Sequence, residues 1–138
     1  MRQAIAEARK ALEQGEVPIG AVVVCNDRIV ARAHNGVETL GDPTAHAEMQ
    51  AITAATDAVG GKYLPECTLY VTIEPCPMCA SAAYWAQVGR IVYGADDDKR
   101  GFSLFGQHLL HPKTRSEKGV LRAECASLMT GFFEKKRN

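Results

Sequence analysis

Two short clusters of metal-ligating residues constrain this chain more than any other feature: His46-Ala47-Glu48 and Cys76-Pro77-Met78-Cys79. Both stand where helices are expected to begin. Asp42-Pro43-Thr44 reads as a helix start, with Asp42 as N-cap and Pro43 at the first helical position. Met49, Ile52, Ala55 and Val59 then mark one face until Gly60-Gly61 ends the helix. Pro75 to Gln87 reads as a second helix with a proline-rich start. On a helix, residues two apart are turned by about 200°, so His46 and Glu48 can converge only at its mouth. Cys76 and Cys79, three apart, share one side of a helix start. A fold that uses all four residues must therefore bring two helix mouths together.

The rest of the chain shows how that is done. Ile5, Ala8 and Leu12 recur at helical spacing, and Gly15 stops the pattern. Ile19 to Cys25 is apolar and β-branched, Asn26-Asp27 has turn chemistry, and Arg28 to His34 runs back as a hairpin partner. Gly36 to Gly41 reads as a loop, Thr68 to Thr72 and Arg90 to Gly94 as strands, and Thr114 to Glu117 as a weaker strand. Ala95 to Gly106 is glycine-punctuated, and Cys125, Leu128, Met129, Phe132 and Phe133 mark a C-terminal helix. Strands alternating with helices indicate a sheet covered on both faces. An opening hairpin followed by crossover helices makes that sheet mixed.

With 138 residues the chain suits one domain spanning 1–138. No apolar run approaches the ~20 residues needed to cross a bilayer. The N-terminus lacks a signal peptide's apolar stretch, so a cytoplasmic location is expected. The five cysteines are an odd number. In a reducing compartment they are thiols, with Cys25, Cys67 and Cys125 expected as small apolar residues. The net charge is zero, which speaks against non-specific nucleic-acid binding by the whole surface. From Lys113 onward, however, seven basic residues face three acidic ones. That basic edge suits either the negative end of a helix dipole or a polyanion.

Helix N-termini lower a thiol's pKa and favour thiolate ligands. Two thiolates and one imidazole suit Zn²⁺, whose catalytic sites use three protein ligands and keep one position open. Alone, Cys-x-x-Cys could equally be a redox pair or half of a closed zinc site. The closed site would need a fourth ligand, for which His34, His111 and Cys67 are the candidates. None has the short spacing of structural zinc motifs.

His-x-Glu followed by Pro-Cys-x-x-Cys is the signature of zinc nucleobase deaminases, and the chain resembles the cytidine deaminase superfamily. Glu16-Val17-Pro18-Ile19-Gly20-Ala21, Asp42 to Glu48, Thr68 to Thr72 and Glu74-Pro75-Cys76 are most similar to bacterial tRNA adenosine deaminases. The resemblance implies a three-layer α/β/α fold with a central mixed five-stranded sheet. It implies one zinc per chain, held by His46, Cys76 and Cys79, with Glu48 as the acid–base group that serves an activated water. It also carries over Asn35 as a hydrogen-bonding partner of the base, Ala47 as a backbone contact, Val17 as a pocket wall and Asp97 near the sugar. The partner implied is a tRNA anticodon arm, and the assembly a homodimer with Met78 and Ala80 to Ala83 near the interface.

Three departures bear on substrate. Arg100-Gly101-Phe102-Ser103-Leu104-Phe105 is bulkier than the small residues of the tRNA group, and Phe102 and Phe105 suit either a pocket lid or a dimer contact. Pro112 to Glu124 is shorter and lacks that group's Asn-His element. Tyr84-Trp85-Ala86 resembles guanine deaminases, with both aromatics expected to pack in the core. A free guanine or cytosine deaminase is thus the competing enzyme reading. A zinc-stabilised binding module is the non-enzyme alternative, and the presence of Glu48 beside a three-ligand set argues against it.

Overall fold

The computed structural model describes residues 1–137. Its centre is a five-stranded sheet in the order β2-β1-β3-β4-β5. Helix α1 (Arg2–Glu13) leads into the hairpin β1 (Gly20–Cys25) and β2 (Arg28–His34). Asn26 and Asp27 both adopt positive φ, 52° and 63°, as a two-residue hairpin turn requires. Strand β3 (Cys67–Ile73) pairs antiparallel with β1. Strands β4 (Arg90–Ala95) and β5 (Arg115–Lys118) then add in parallel. The sheet is mixed, as the sequence pattern implies.

Helices cover both faces. Alternation along the strands sends Ala21, Val23, Leu69, Val71, Ile91 and Tyr93 into one core cluster, where they meet Ala47, Ala51 and Ala55 of α3 (Ala47–Val59) and Ala80 and Ala83 of α4 (Pro77–Ala86). On the other face α1 and α5 (Arg122–Arg137) pack through Ile5 and Cys125. Small residues let these layers approach closely. A Cβ on Gly20 would lie 2.4 Å from the Ala8 backbone nitrogen, so only glycine lets β1 run directly beneath α1. Among the described residues no helix is long and apolar enough to cross a membrane.

Several expectations change. Gly36 to Gly41 contains a single helical turn, α2 (Val37–Leu40). Asp42 does not cap α3. Its Oδ1 accepts the Thr44 N–H at 2.8 Å and the Thr44 hydroxyl at 2.7 Å, an Asx turn that keeps the chain out of the helix until Ala47. Cys25 and Cys67 are not separate apolar thiols. They face each other across the β1–β3 pair, with Cα atoms 4.3 Å apart, and form a disulfide. The residues lie 42 apart in sequence, so no local spacing signals the pairing. Cys76, Cys79 and Cys125 remain free.

The aromatic expectations also divide. Phe102, in a single 3-10 turn (Phe102–Leu104), is fully buried and stands edge-on to Tyr93 at 6.0 Å. It is a core residue and not a lid. Trp85 goes the other way: it is 76% exposed, because α4 turns its opposite side, Ala83 and Ala86, to the core. Tyr84 is half-buried between Trp85 and His111.

Candidate active site

The two helix mouths meet. His46 is the N-cap of α3, with φ −68° and ψ 154°. Cys76 is the N-cap of α4, with φ −73° and ψ 169°. Pro77 explains the second start. It disfavours the α region at Cys76 and then occupies N1, where its missing N–H costs nothing. Glu48 and Cys79 follow inside the first turns of their helices, so the four residues form two matched pairs.

Sγ of Cys76 lies 3.7 Å from His46 Nδ1, and Sγ of Cys79 lies 3.5 Å from the same nitrogen. All three donor atoms fall within 4.8 Å of one another. A tetrahedral ion with bonds of about 2.3 Å to sulfur and about 2.0 Å to nitrogen sets S···N separations of about 3.5 Å. The donor set therefore fits zinc in chemistry and in spacing. Among the described residues these three are the only cluster of this kind. The fourth-ligand candidates are engaged elsewhere: His34 Nδ1 with Glu7 at 3.0 Å, His111 Nδ1 with the Lys113 N–H, and Cys67 in the disulfide. The arrangement is that of an open site.

The electrostatics match that reading. The Cys79 thiol donates to Cys76, which draws the Cys76 thiol down to about 4, with His46 acting in the same direction. The same contact pushes Cys79 up. Cys76 in turn raises His46. Glu48 is 2% exposed, and burial pushes its carboxyl up to about 7. Its Oε1 is the one buried side-chain oxygen or nitrogen without a hydrogen-bond partner among the described residues. An orphaned carboxyl oxygen beside three ligands is a group kept for something that enters the site.

A cavity of about 710 Å³ opens onto these residues, within the size range of small-molecule sites. Val17, Asn35 and Asp97 line it, as do His46, Glu48 and Cys76. Asn35 is 5% exposed. Asp97 sits on the rim, but its Oδ1 accepts the Lys99 and Arg100 N–H groups and so closes its own turn. Ala47 is fully buried behind His46 and Glu48, outside the cavity lining.

The structure adds to the cavity residues that the sequence reading does not assign to the site. Phe133, Lys136 and Arg100 bring apolar and basic surface to the mouth, all three exposed. Two buried carboxylates, Glu16 and Glu74, also belong to the cavity lining. Burial alone would raise Glu16, yet bonds from the Thr39 hydroxyl and the Thr39 and Glu38 N–H groups hold it below the usual carboxylate range. The available signal was a glutamate placed directly before an apolar or proline-bearing run in each case: Glu16-Val17-Pro18 and Glu74-Pro75-Cys76.

Comparison with known proteins agrees with this geometry. Residues 1–95 match the family model of the cytidine and deoxycytidylate deaminase zinc-binding region. The chain belongs to this deaminase family. It is a zinc-dependent deaminase, with its His/Cys/Cys cluster inside the matched region. It is 46% identical to the tRNA-specific adenosine deaminase of Bacillus subtilis (strain 168), over 99% of this chain and 88% of that one. A solved structure from studies of A-to-I editing by tRNA:A34 deaminases superposes with a TM-score of 0.86 at 43% identity, covering 93% of this chain and 96% of the other. The guanine deaminase of Bacillus subtilis matches less of the fold: TM-score 0.66 at 41% identity, over 69% of this chain and 61% of that one.

Proposed function

We propose that this deaminase converts adenosine to inosine at the wobble position of a tRNA anticodon arm, with the whole chain acting as one deaminase domain in the cytoplasm. The observation that carries the proposal is the open mouth of the cavity, where two exposed cations, Arg100 and Lys136, stand with the acidic Glu38 and Asp97. Arg100 and Lys136 line a mouth that a polyanionic strand would need and a free base would not. The full-length similarity to proteins named for this reaction supports it. Phe102 is unavailable as the lid that a closed free-base pocket would use, because it belongs to the core.

In this reading His46, Cys76 and Cys79 hold the zinc, which when bound lowers the pKa of a water enough to make it a nucleophile near neutral pH. Glu48 takes one proton from that water at its unpartnered Oε1 and passes it to the ring nitrogen beside the reacting carbon, then takes the second proton from the newly added hydroxyl and delivers it to the amine, which leaves as ammonia as the carbonyl forms. Its burial keeps it near the pKa at which one carboxyl can serve as base and then as acid. Asn35 binds the base, Val17 forms a wall of its pocket, and Asp97 shapes the rim toward the sugar.

The deciding measurement is ammonia release from an adenosine-containing anticodon stem-loop, free adenosine, guanine and cytosine. The stem-loop is expected to be the substrate, and release from free guanine alone would overturn the proposal. The working unit is proposed to be a homodimer. Trp85, Leu104 and Phe105 are 76%, 57% and 58% exposed, a cost that a second copy would remove. Ala80 and Ala83 pack within their own chain, so they are not part of that contact. Sedimentation should give twice the single-chain mass, and a monomer at micromolar concentration would refute it.

A further inference from the structure

Glu74 has no part in the chemistry above, yet it is 3% exposed and lies two residues before a metal ligand. Its two oxygens are both spent on one loop. Oε1 accepts the Asp97 N–H at 3.2 Å, and Oε2 accepts the Ser103 N–H at 2.9 Å. Those donors are the two ends of the segment 97–103. Its middle is pressed onto the same carboxylate: a Cβ on Gly101 would lie 2.3 to 2.5 Å from all three carboxyl atoms. Backbone bonds continue the seam, from Glu74 N–H to Ala95 C=O at 2.8 Å and from Phe102 N–H to Pro75 C=O at 2.9 Å. The loop so gripped carries Arg100 to the cavity mouth and places Asp97 on its rim.

We infer that Glu74 is a positioning residue for substrate: its carboxylate fixes the 97–103 loop against the cysteine helix, so that Arg100 stands where the nucleotide strand enters. The inference rests on the proposed tRNA reading for the identity of that strand. A side chain anchored only for core stability would satisfy its oxygens anywhere. This one joins the segment that supplies a metal ligand to the segment that supplies the rim, and so sets the distance between them. Gly101 has φ −62° and ψ 141°, a conformation open to any residue. Glycine is needed there only to let the carboxylate in.

The test uses zinc-loaded wild type, Glu74→Gln, Arg100→Ala, the double variant and Gly101→Ala, with the anticodon stem-loop as substrate. Gln keeps the volume but can accept from only one of the two N–H groups. Gly101→Ala displaces the carboxylate from the loop side. Glu74→Gln, Gly101→Ala and Arg100→Ala are each expected to raise KM by about tenfold, the weight of one charge-assisted contact. The value of kcat and the zinc content should stay near wild type. Because Glu74 acts through Arg100, the double variant should be no worse than the poorer single one. A KM equal to the product of the two effects, a fall in kcat at unchanged KM, or loss of zinc would overturn the inference. Hydrogen exchange at the Asp97 and Ser103 amides is read without substrate. It should quicken in Glu74→Gln and in Gly101→Ala, and unchanged exchange would also overturn it. Wild type inactive on the stem-loop would sink the substrate proposal instead, leaving the exchange result to decide whether Glu74 holds the loop.

Discussion

Glu48→Ala is expected to keep one zinc per chain and to lower kcat by about 10²- to 10⁴-fold, the usual effect of losing a positioned proton carrier. The metal should survive because Glu48 is not one of the three clustered donors. Turnover should not, because among the described residues no other titratable side chain lies in the first turn of α3 beside them. The same variant tests whether the residue is there for chemistry or for the fold. A buried oxygen without a partner costs roughly 1–3 kcal/mol, and Oε1 is such an atom. Removing it should therefore leave the melting temperature of the metal-free protein at least as high as that of wild type. A core glutamate held for stability would show the opposite pair of results: native turnover and a lowered Tm. Metal analysis, steady-state kinetics and a thermal melt on one preparation separate the two.

What the sequence makes legible, and what it does not, follows from the range of the forces involved. The strands declare themselves because β-branched residues alternate or run together, as in Val22-Val23-Val24 and Leu69-Tyr70-Val71. The hairpin declares itself through Asn26-Asp27. Both helix mouths are readable because a proline stands near each, although the second helix starts at Pro77 and not at Pro75. Pro43 lies outside the helix, since Asp42 spends its side chain on Thr44 and leaves the N-cap to His46. That difference matters to the site: it moves His46 to the cap position, from which its ring faces the cysteines. Long-range facts were hidden. Cys25 and Cys67 become neighbours only through the β1–β3 register. Phe102 looks like a flexible lid in a glycine-punctuated segment, until Glu74 is seen to draw that segment onto the core. Glu16 and Glu74 look like ordinary surface charges because the N–H groups that justify their burial lie 22 to 29 residues away in sequence.

Chelation should abolish turnover and lower Tm, and restoring zinc should reverse both. A ligand present at a thousand times its Kd stabilises the folded state by about 4 kcal/mol, which for a chain of this size corresponds to more than about 10 °C. The metal-free chain should nevertheless remain folded. Ala51 and Ala55 of α3 and Ala80 and Ala83 of α4 pack into the main core independently of the donor atoms. The metal thus clamps two helix ends that are already held along their lengths. The donor pair adds a pH dependence whose sign is fixed. Cys76 is drawn down and Cys79 pushed up, so the two sulfurs together hold one proton near neutral pH. Zinc needs both as thiolates and must displace that proton. Its affinity should therefore rise with pH, by about tenfold per unit for each proton released. Competition with a chromogenic chelator at pH 6.5 and 7.5 measures this directly. A pH-independent affinity would mean that the cysteine proton is not displaced, and turnover surviving full chelation would mean that the reaction does not need the metal these three residues are arranged to hold.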